Sequence, residues 1–106
     1  MFYELRQYRI RKGRMKEWVK LMDGEIIPFQ VSRGMVITGS FTDEQNPNHY
    51  IWLRRFKNEA ERKRLYERVY DTDAWKTKIA PKVDKLLDRS SIVVTRIVPT
   101  PKSVLQ

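Results

Sequence analysis

The sequence predicts a single α+β domain of β-α-β-β-α-β order, and three observations carry that prediction. Four stretches rich in aromatic and branched residues alternate in strand fashion, at 2–10 (FYELRQYRI), 35–42, 49–56 and 92–98. Two longer stretches between them place apolar residues at helical spacing. Turn residues fall at the junctions, among them Lys12-Gly13 and the polar run 43–48 with Pro47. A split β-α-β order with right-handed crossovers makes a four-stranded antiparallel sheet with its helices on one face.

Each element has its own warrant. Met15, Trp18, Val19, Met22 and Ile26 form the stripe of the first helix, which Gly24 weakens and Pro28 is expected to end. The loop 43–48 joins the second and third strands as a hairpin connection. Asn58 and Glu61 read as a capping box for a helix over 59–70, whose buried face uses Leu65, Tyr66, Val69 and Tyr70. After Asp71-Thr72-Asp73 a second helical segment carries Trp75, Ile79, Val83, Leu86 and Leu87, with Pro81 opening a fresh turn. Ser90-Ser91 is expected to end the helical region. Residues 1–98 form the domain, and 99–106, with Pro99 and Pro101, read as an extended tail.

Composition narrows the function classes. With 106 residues there is room for one domain. The chain has no cysteine, which excludes disulfides, thiolate metal sites and a thiol nucleophile, and suits a cytoplasmic setting. The charged start and the lack of a long apolar run predict neither a signal peptide nor a membrane partner. The net charge is +9, but residues 6–20 alone carry seven Arg and Lys against Glu17. That is one basic patch, and it predicts weak, non-specific affinity for nucleic acid rather than a dedicated site.

The strand alternation sorts side chains into two faces. Tyr3, Leu5, Ile37, Phe41, Ile51, Leu53, Val93 and Ile97 make a mainly aliphatic set, expected under the helices. Phe2, Glu4, Arg6, Tyr8, Thr38, Ser40, Tyr50, Trp52, Arg54, Phe56, Val94 and Arg96 make an aromatic and charged set, expected to lie uncovered. An open patch of that size predicts a partner, and a second copy of the chain is the expectation. RNA-recognition domains offer the rival reading, since they share this element order and stack bases on sheet aromatics. The third strand lacks their basic-Gly-aromatic opening, and Glu4 would repel phosphate.

Several pieces resemble the NIPSNAP family: Phe2-Tyr3-Glu4-Leu5-Arg6 with Tyr8, Lys12-Gly13, Ile27-Pro28-Phe29-Gln30, Gly39-Ser40-Phe41, Trp52 with Arg54-Arg55-Phe56, Glu61-Arg62 and Asp73-Ala74-Trp75. Their order and spacing over 2–98 carry the likeness. It implies a ferredoxin-like fold pairing sheet to sheet as a homodimeric α+β barrel. The family brings no agreed reaction. The wider barrel group includes cofactor-independent monooxygenases and isomerases, an analogy at the level of fold. Where many relatives carry a His two residues before the third-strand Trp, this chain has Tyr50.

The residues demand no cofactor and no metal. His49, the single histidine, stands near Asp43 and Glu44 without the spacing of a metal site. No serine sits in a nucleophile elbow, and Gly34 and Gly39 lack the Lys-Ser/Thr of a phosphate loop. The candidate ligand-binding set is Glu4, Arg6, Tyr8, Tyr50, Trp52, Arg54, Phe56 and Arg96. Aromatic walls with surplus arginine suit a small hydrophobic or aromatic anion. Glu4 stands as a candidate base or as a partner that orients Arg6. Enzyme and binding protein are both compatible with this set.

Overall fold

The computed structural model describes residues 1–106, and its sheet has the order β2-β3-β1-β4 with every pair antiparallel. The strands are β1 (Phe2–Ile10), β2 (Val36–Thr42), β3 (His49–Phe56) and β4 (Leu87–Ile97). The helical elements are α1 (Met15–Leu21), α2 (Ile27–Ser32), α3 (Glu59–Tyr70) and α4 (Ala80–Leu86). All lie against one face of the sheet, as the β-α-β-β-α-β order predicts.

The first helical region does not end at Pro28. A π-helical segment, Met22–Ile26, follows α1, and Pro28 then falls in the first turn of α2. A π turn shifts the hydrogen-bond ladder by one residue, so the ring meets no carbonyl that it would displace. The second region repeats the device, with a π-helical segment Ala74–Ile79 followed by α4, where Pro81 opens the turn as expected. Asn58 caps α3 by accepting from the Glu61 N–H at 2.8 Å, and Glu61 returns the bond to the Lys57 N–H.

β4 begins at Leu87 rather than after Ser91. Leu87 and Asp88 pair with Ile10 and Arg9, then four residues bulge against Tyr8 before Val93 meets Gln7. Asp88 stabilises that bulge by accepting from the Ser90 N–H and hydroxyl. Ser90-Ser91 is therefore a bulge inside a strand. Residues 99–106 do not run out as an extended tail either. They turn at 101–102 and return to the sheet, where the Tyr3 hydroxyl donates to the Gln106 carbonyl at 2.8 Å.

The two faces are the reverse of the expectation. Glu4, Tyr8, Tyr50, Trp52, Arg54 and Phe56 are all buried beneath the helices. The aliphatic set faces away from them: Phe41 and Val93 are about half exposed, at 52% and 53%, and Leu5, Ile51 and Leu53 are only partly covered. Ile37 is the exception, paired with Arg54 and packed on the core because a bulge shifts register between Ile37 and Gly39. On the open face the Phe41 ring lies across Gly39, where a Cβ would come within 2.5 Å of it.

The physical reason is that the helices bring polar and aromatic groups of their own. Trp18, Met22, Ile26, Ile79, Val83 and Leu86 pack on Tyr8, Tyr50 and Trp52 in the larger core cluster. Met35, Phe56, Leu65 and Val69 form a smaller one. A homodimer or an RNA platform built on Phe2, Glu4, Tyr8, Trp52 and Arg54 is thus excluded, because that surface is consumed within one chain.

Candidate functional site

The buried charges form one network at the junction of the sheet with α2 and α3. Glu4 on β1 lies opposite Arg54 on β3, and both are fully buried. Arg54 donates through Nη2 to Glu4 Oε1 at 2.8 Å and to the Tyr66 hydroxyl at 2.6 Å. Through Nη1 it donates to Gln30 Oε1 at 3.1 Å and to the Tyr70 hydroxyl at 2.6 Å. Its guanidinium also sits 4.8 Å from the Trp52 ring centre and 5.0 Å from that of Tyr66. Glu4 further accepts from the Tyr66 hydroxyl and from Arg62 Nε at 2.7 Å, with Arg6 3.6 Å away. One carboxylate thus faces three guanidiniums, and positive charge is in excess.

Beside this network a cavity of about 120 Å³ opens between sheet and helices. Its apolar wall includes Trp18, Trp52, Met22, Trp75 and Val83, and its polar residues are Arg6, Tyr8, Gln30, Tyr66, Tyr70 and Arg89. Benzene fits an engineered void of about 150 Å³, so this space suits a single small ring or a short chain.

The indole N–H groups of Trp18 and Trp52 are buried without an acceptor. The Tyr8 hydroxyl accepts from Arg6 Nε at 2.8 Å and keeps its proton and one lone pair without a side-chain partner. The Tyr70 hydroxyl accepts from Arg54 and from Gln30 Nε2, and its proton is likewise unclaimed. The hydroxyls of Tyr8 and Tyr70 can thus donate to an acceptor in the cavity, while the closed-off indole N–H groups stay unsatisfied in the core.

The NIPSNAP family model matches residues 3–102. The chain belongs to the NIPSNAP family. No curated protein matches it. Among solved structures it is similar to a NIPSNAP family protein of unknown function from Agrobacterium tumefaciens, at 26% identity and a TM-score of 0.89, covering all of this chain and 94% of that one. A second NIPSNAP family protein from A. tumefaciens strain C58 shares 25% identity at a TM-score of 0.88, covering 99% and 98%. An antibiotic biosynthesis monooxygenase shares the fold at 16% identity and a TM-score of 0.67, covering 95% of this chain and all of that one.

In this NIPSNAP domain only part of the candidate set meets the cavity. Arg6, Tyr8 and Trp52 line it directly, while Glu4 and Arg54 stand behind Tyr66 and Tyr70 and fix them. Tyr50 is sealed in the core with its hydroxyl on Ser40, and Phe56 belongs to the smaller cluster. Arg96 lies away from the cavity, paired with Glu59 at 2.6 Å and stacked on Phe2. Six contributors escaped the sequence reading of the site: Trp18, Gln30, Arg62, Tyr66, Tyr70 and Arg89. All but Arg89 come from the helices, and Tyr66 and Tyr70 four residues apart on α3 were the available signal.

Glu4 is not a free base. Burial alone would raise its carboxyl, but the charge of Arg54 and hydrogen bonds from Arg62, Tyr66 and Arg54 hold it below the usual carboxylate range. Burial, against the opposing charges of Arg54 and Arg6, pushes the Tyr66 hydroxyl up to about 12, so it remains a donor to Glu4. A carboxyl lowered by folding stabilises the fold above its unfolded pKa, about 4.3, and loses that contribution as pH falls through the folded value. Wild-type stability is therefore expected to fall below about pH 4, while Glu4→Gln flattens that limb and lowers stability at neutral pH. Urea midpoints between pH 2 and pH 7 check both.

His49 is occupied elsewhere, with Nδ1 2.9 Å from Asp43 Oδ2 and Nε2 3.0 Å from Gln7 Oε1. The basic patch is partly neutralised, since Arg9 pairs with Asp88 and Arg14 with Glu17. Arg11, Lys12, Lys16 and Lys20 remain exposed without a salt bridge. With about four phosphate contacts, affinity for DNA should fall on the order of 100-fold between about 50 and about 200 mM salt. Anisotropy with two unrelated duplexes should give the same curve for both.

Proposed function

We propose that this NIPSNAP protein binds a small, flat or hydrophobic molecule carrying an anionic or strongly accepting group, in the cavity beneath the helices. One observation supports the reading above others: an aromatic-walled cavity brings together the hydroxyls of Tyr8 and Tyr70 with the side chains of Arg6 and Arg89. Tyr8 and Tyr70 would donate to the ligand's acceptors, Arg6 and Arg89 would supply charge, and Met22, Trp75 and Val83 would exclude water. Binding is favoured over proton-transfer catalysis because Glu4 is engaged by Tyr66, Arg54 and Arg62 and its carboxyl is held below the usual carboxylate range. The barrel-type monooxygenase and isomerase activities rest on fold alone, and no free base in this network favours the second.

Calorimetric titration with benzoate, phenol and benzylamine tests this. Benzoate and phenol are expected to bind, benzylamine to be rejected by Arg6 and Arg89, and Ile92→Trp at the rim to abolish binding. Failure of all three to bind, or binding unaffected by the rim variant, would refute it.

The assembly we propose is a homodimer formed across the open face. Its support is the continuous aliphatic surface of Leu5, Phe41, Ile51 and Val93, which no element of the chain covers. The returning C-terminal residues reach only the corner near Tyr3, Leu53 and Ile97. A cytoplasmic setting belongs to the same reading, supported by a chain without cysteine. No helix is long and apolar enough to cross a membrane.

A further inference from the structure

We infer that Gln30 is a positioning residue that fixes the polarity of the cavity, by turning the Tyr70 hydroxyl into an obligate donor. The inference rests on the binding reading above and adds to it the residue that makes the site select a hydrogen-bond acceptor, whether the ligand is neutral or charged. Arg54 dictates the order of bonds, because a guanidinium can only donate. Its Nη1 lies 3.1 Å from Gln30 Oε1 and 2.6 Å from the Tyr70 hydroxyl, so both oxygens accept from it. With its oxygen turned to Arg54, the Gln30 amide must present Nε2 to Tyr70, at 3.2 Å, and the hydroxyl accepts a second time. A hydroxyl has two lone pairs and one proton. Both lone pairs are taken, so Tyr70 can offer the cavity its proton and nothing else.

The surroundings hold this arrangement in place. Gln30 on α2 and Arg54 on β3 are fully buried, so their bonds act in a low dielectric away from water. The Tyr70 ring meets Trp75 edge-on at 4.7 Å between centres and Tyr66 at 5.2 Å. The Tyr66 hydroxyl is closed to a ligand, since it accepts from Arg54 and Arg6 and gives its proton to Glu4. Tyr8 accepts only from Arg6 and keeps both a proton and a lone pair, so it can meet either kind of ligand atom. Of the three hydroxyls, Tyr70 alone therefore discriminates. A ligand without an acceptor would leave its buried proton unsatisfied, at a cost.

Pyridine, pyrrole and benzene test this, as single flat rings carrying one acceptor, one donor and neither. Their affinities are measured by NMR titration in mildly alkaline buffer, where pyridine is neutral. The wild type is expected to favour pyridine over pyrrole by about tenfold. Tyr70→Phe and Gln30→Met should each erase most of that preference while benzene binds as before. Gln30→Glu should reverse it. That change replaces the Nε2 donor by a second oxygen, which takes the Tyr70 proton and frees a hydroxyl lone pair toward the cavity. Should Gln30→Glu fail to fold by circular dichroism, Gln30→Met and Tyr70→Phe decide. A Gln30→Met protein that weakens all three rings alike, with the pyridine-to-pyrrole ratio intact, would reduce Gln30 to packing and overturn the inference while the binding reading stands. A wild type that binds none of the rings would overturn both.

Discussion

Replacing Arg54 with methionine is expected to destabilise the protein by about 3–5 kcal/mol. The side chain is fully buried, and its loss strips donors from Glu4, Tyr66, Tyr70 and Gln30 at once. Glu4 would keep Arg62 and Tyr66, so the cost comes mainly from unsatisfied groups and a misfilled space among four aromatic rings. Glu4→Leu alone is expected to cost a similar amount, because Arg54 would then be buried without its counter-charge. The double variant should cost less than the sum of the singles by roughly 1–3 kcal/mol, the coupling expected of groups in direct contact. Urea unfolding of the four proteins measures this. Additive losses would mean that the pair does not act as a unit.

Changing Ile51 to aspartate should convert a dimer into a folded monomer of 12.8 kDa. Ile51 sits on the open face of β3, opposite Phe41 on β2 and Gln7 on β1. Within one chain the change costs little, since the side chain is only partly covered. In a dimer it places two unpaired carboxylates in an apolar interface, which such an interface cannot accommodate. The neighbouring Trp52→Asp points to the other side of the sheet and should instead unfold the chain. Light scattering with circular dichroism separates the outcomes. A wild-type monomer at micromolar concentration would remove the dimer, and an unfolded Ile51→Asp would place that residue in the core.

These two residues also show how far the sequence could be read. Period-two alternation put Ile51 and Trp52 on opposite faces without error, because strand geometry leaves no other choice. Which face meets the helices is not encoded in one strand. The expectation that helices cover aliphatic residues failed because Glu4 and Arg54 look too costly to bury until Gln30, Arg62, Tyr66 and Tyr70 are in place. Those partners lie 12 to 62 residues away along the chain, beyond any local pattern. Pro28 misled for a nearer reason, since the π turn before it leaves no signature in residue type. Pro81 was legible because the apolar stripe visibly continued past it to Leu86. The cavity itself could not be foreseen, as half of its wall comes from helix residues that read as plain core.

Whether that cavity, rather than the open face, receives a ligand is read most directly from the indole N–H signals of Trp18 and Trp52. Both rings line the cavity, and both N–H groups are buried beside it without a partner. Titration of nitrogen-15-labelled protein with benzoate should perturb both indole signals saturably, because a ring bound against them changes their surroundings, while amides of Phe41 and Val93 on the open face stay in place. Indole signals that remain fixed while the open-face amides move would contradict binding in the cavity.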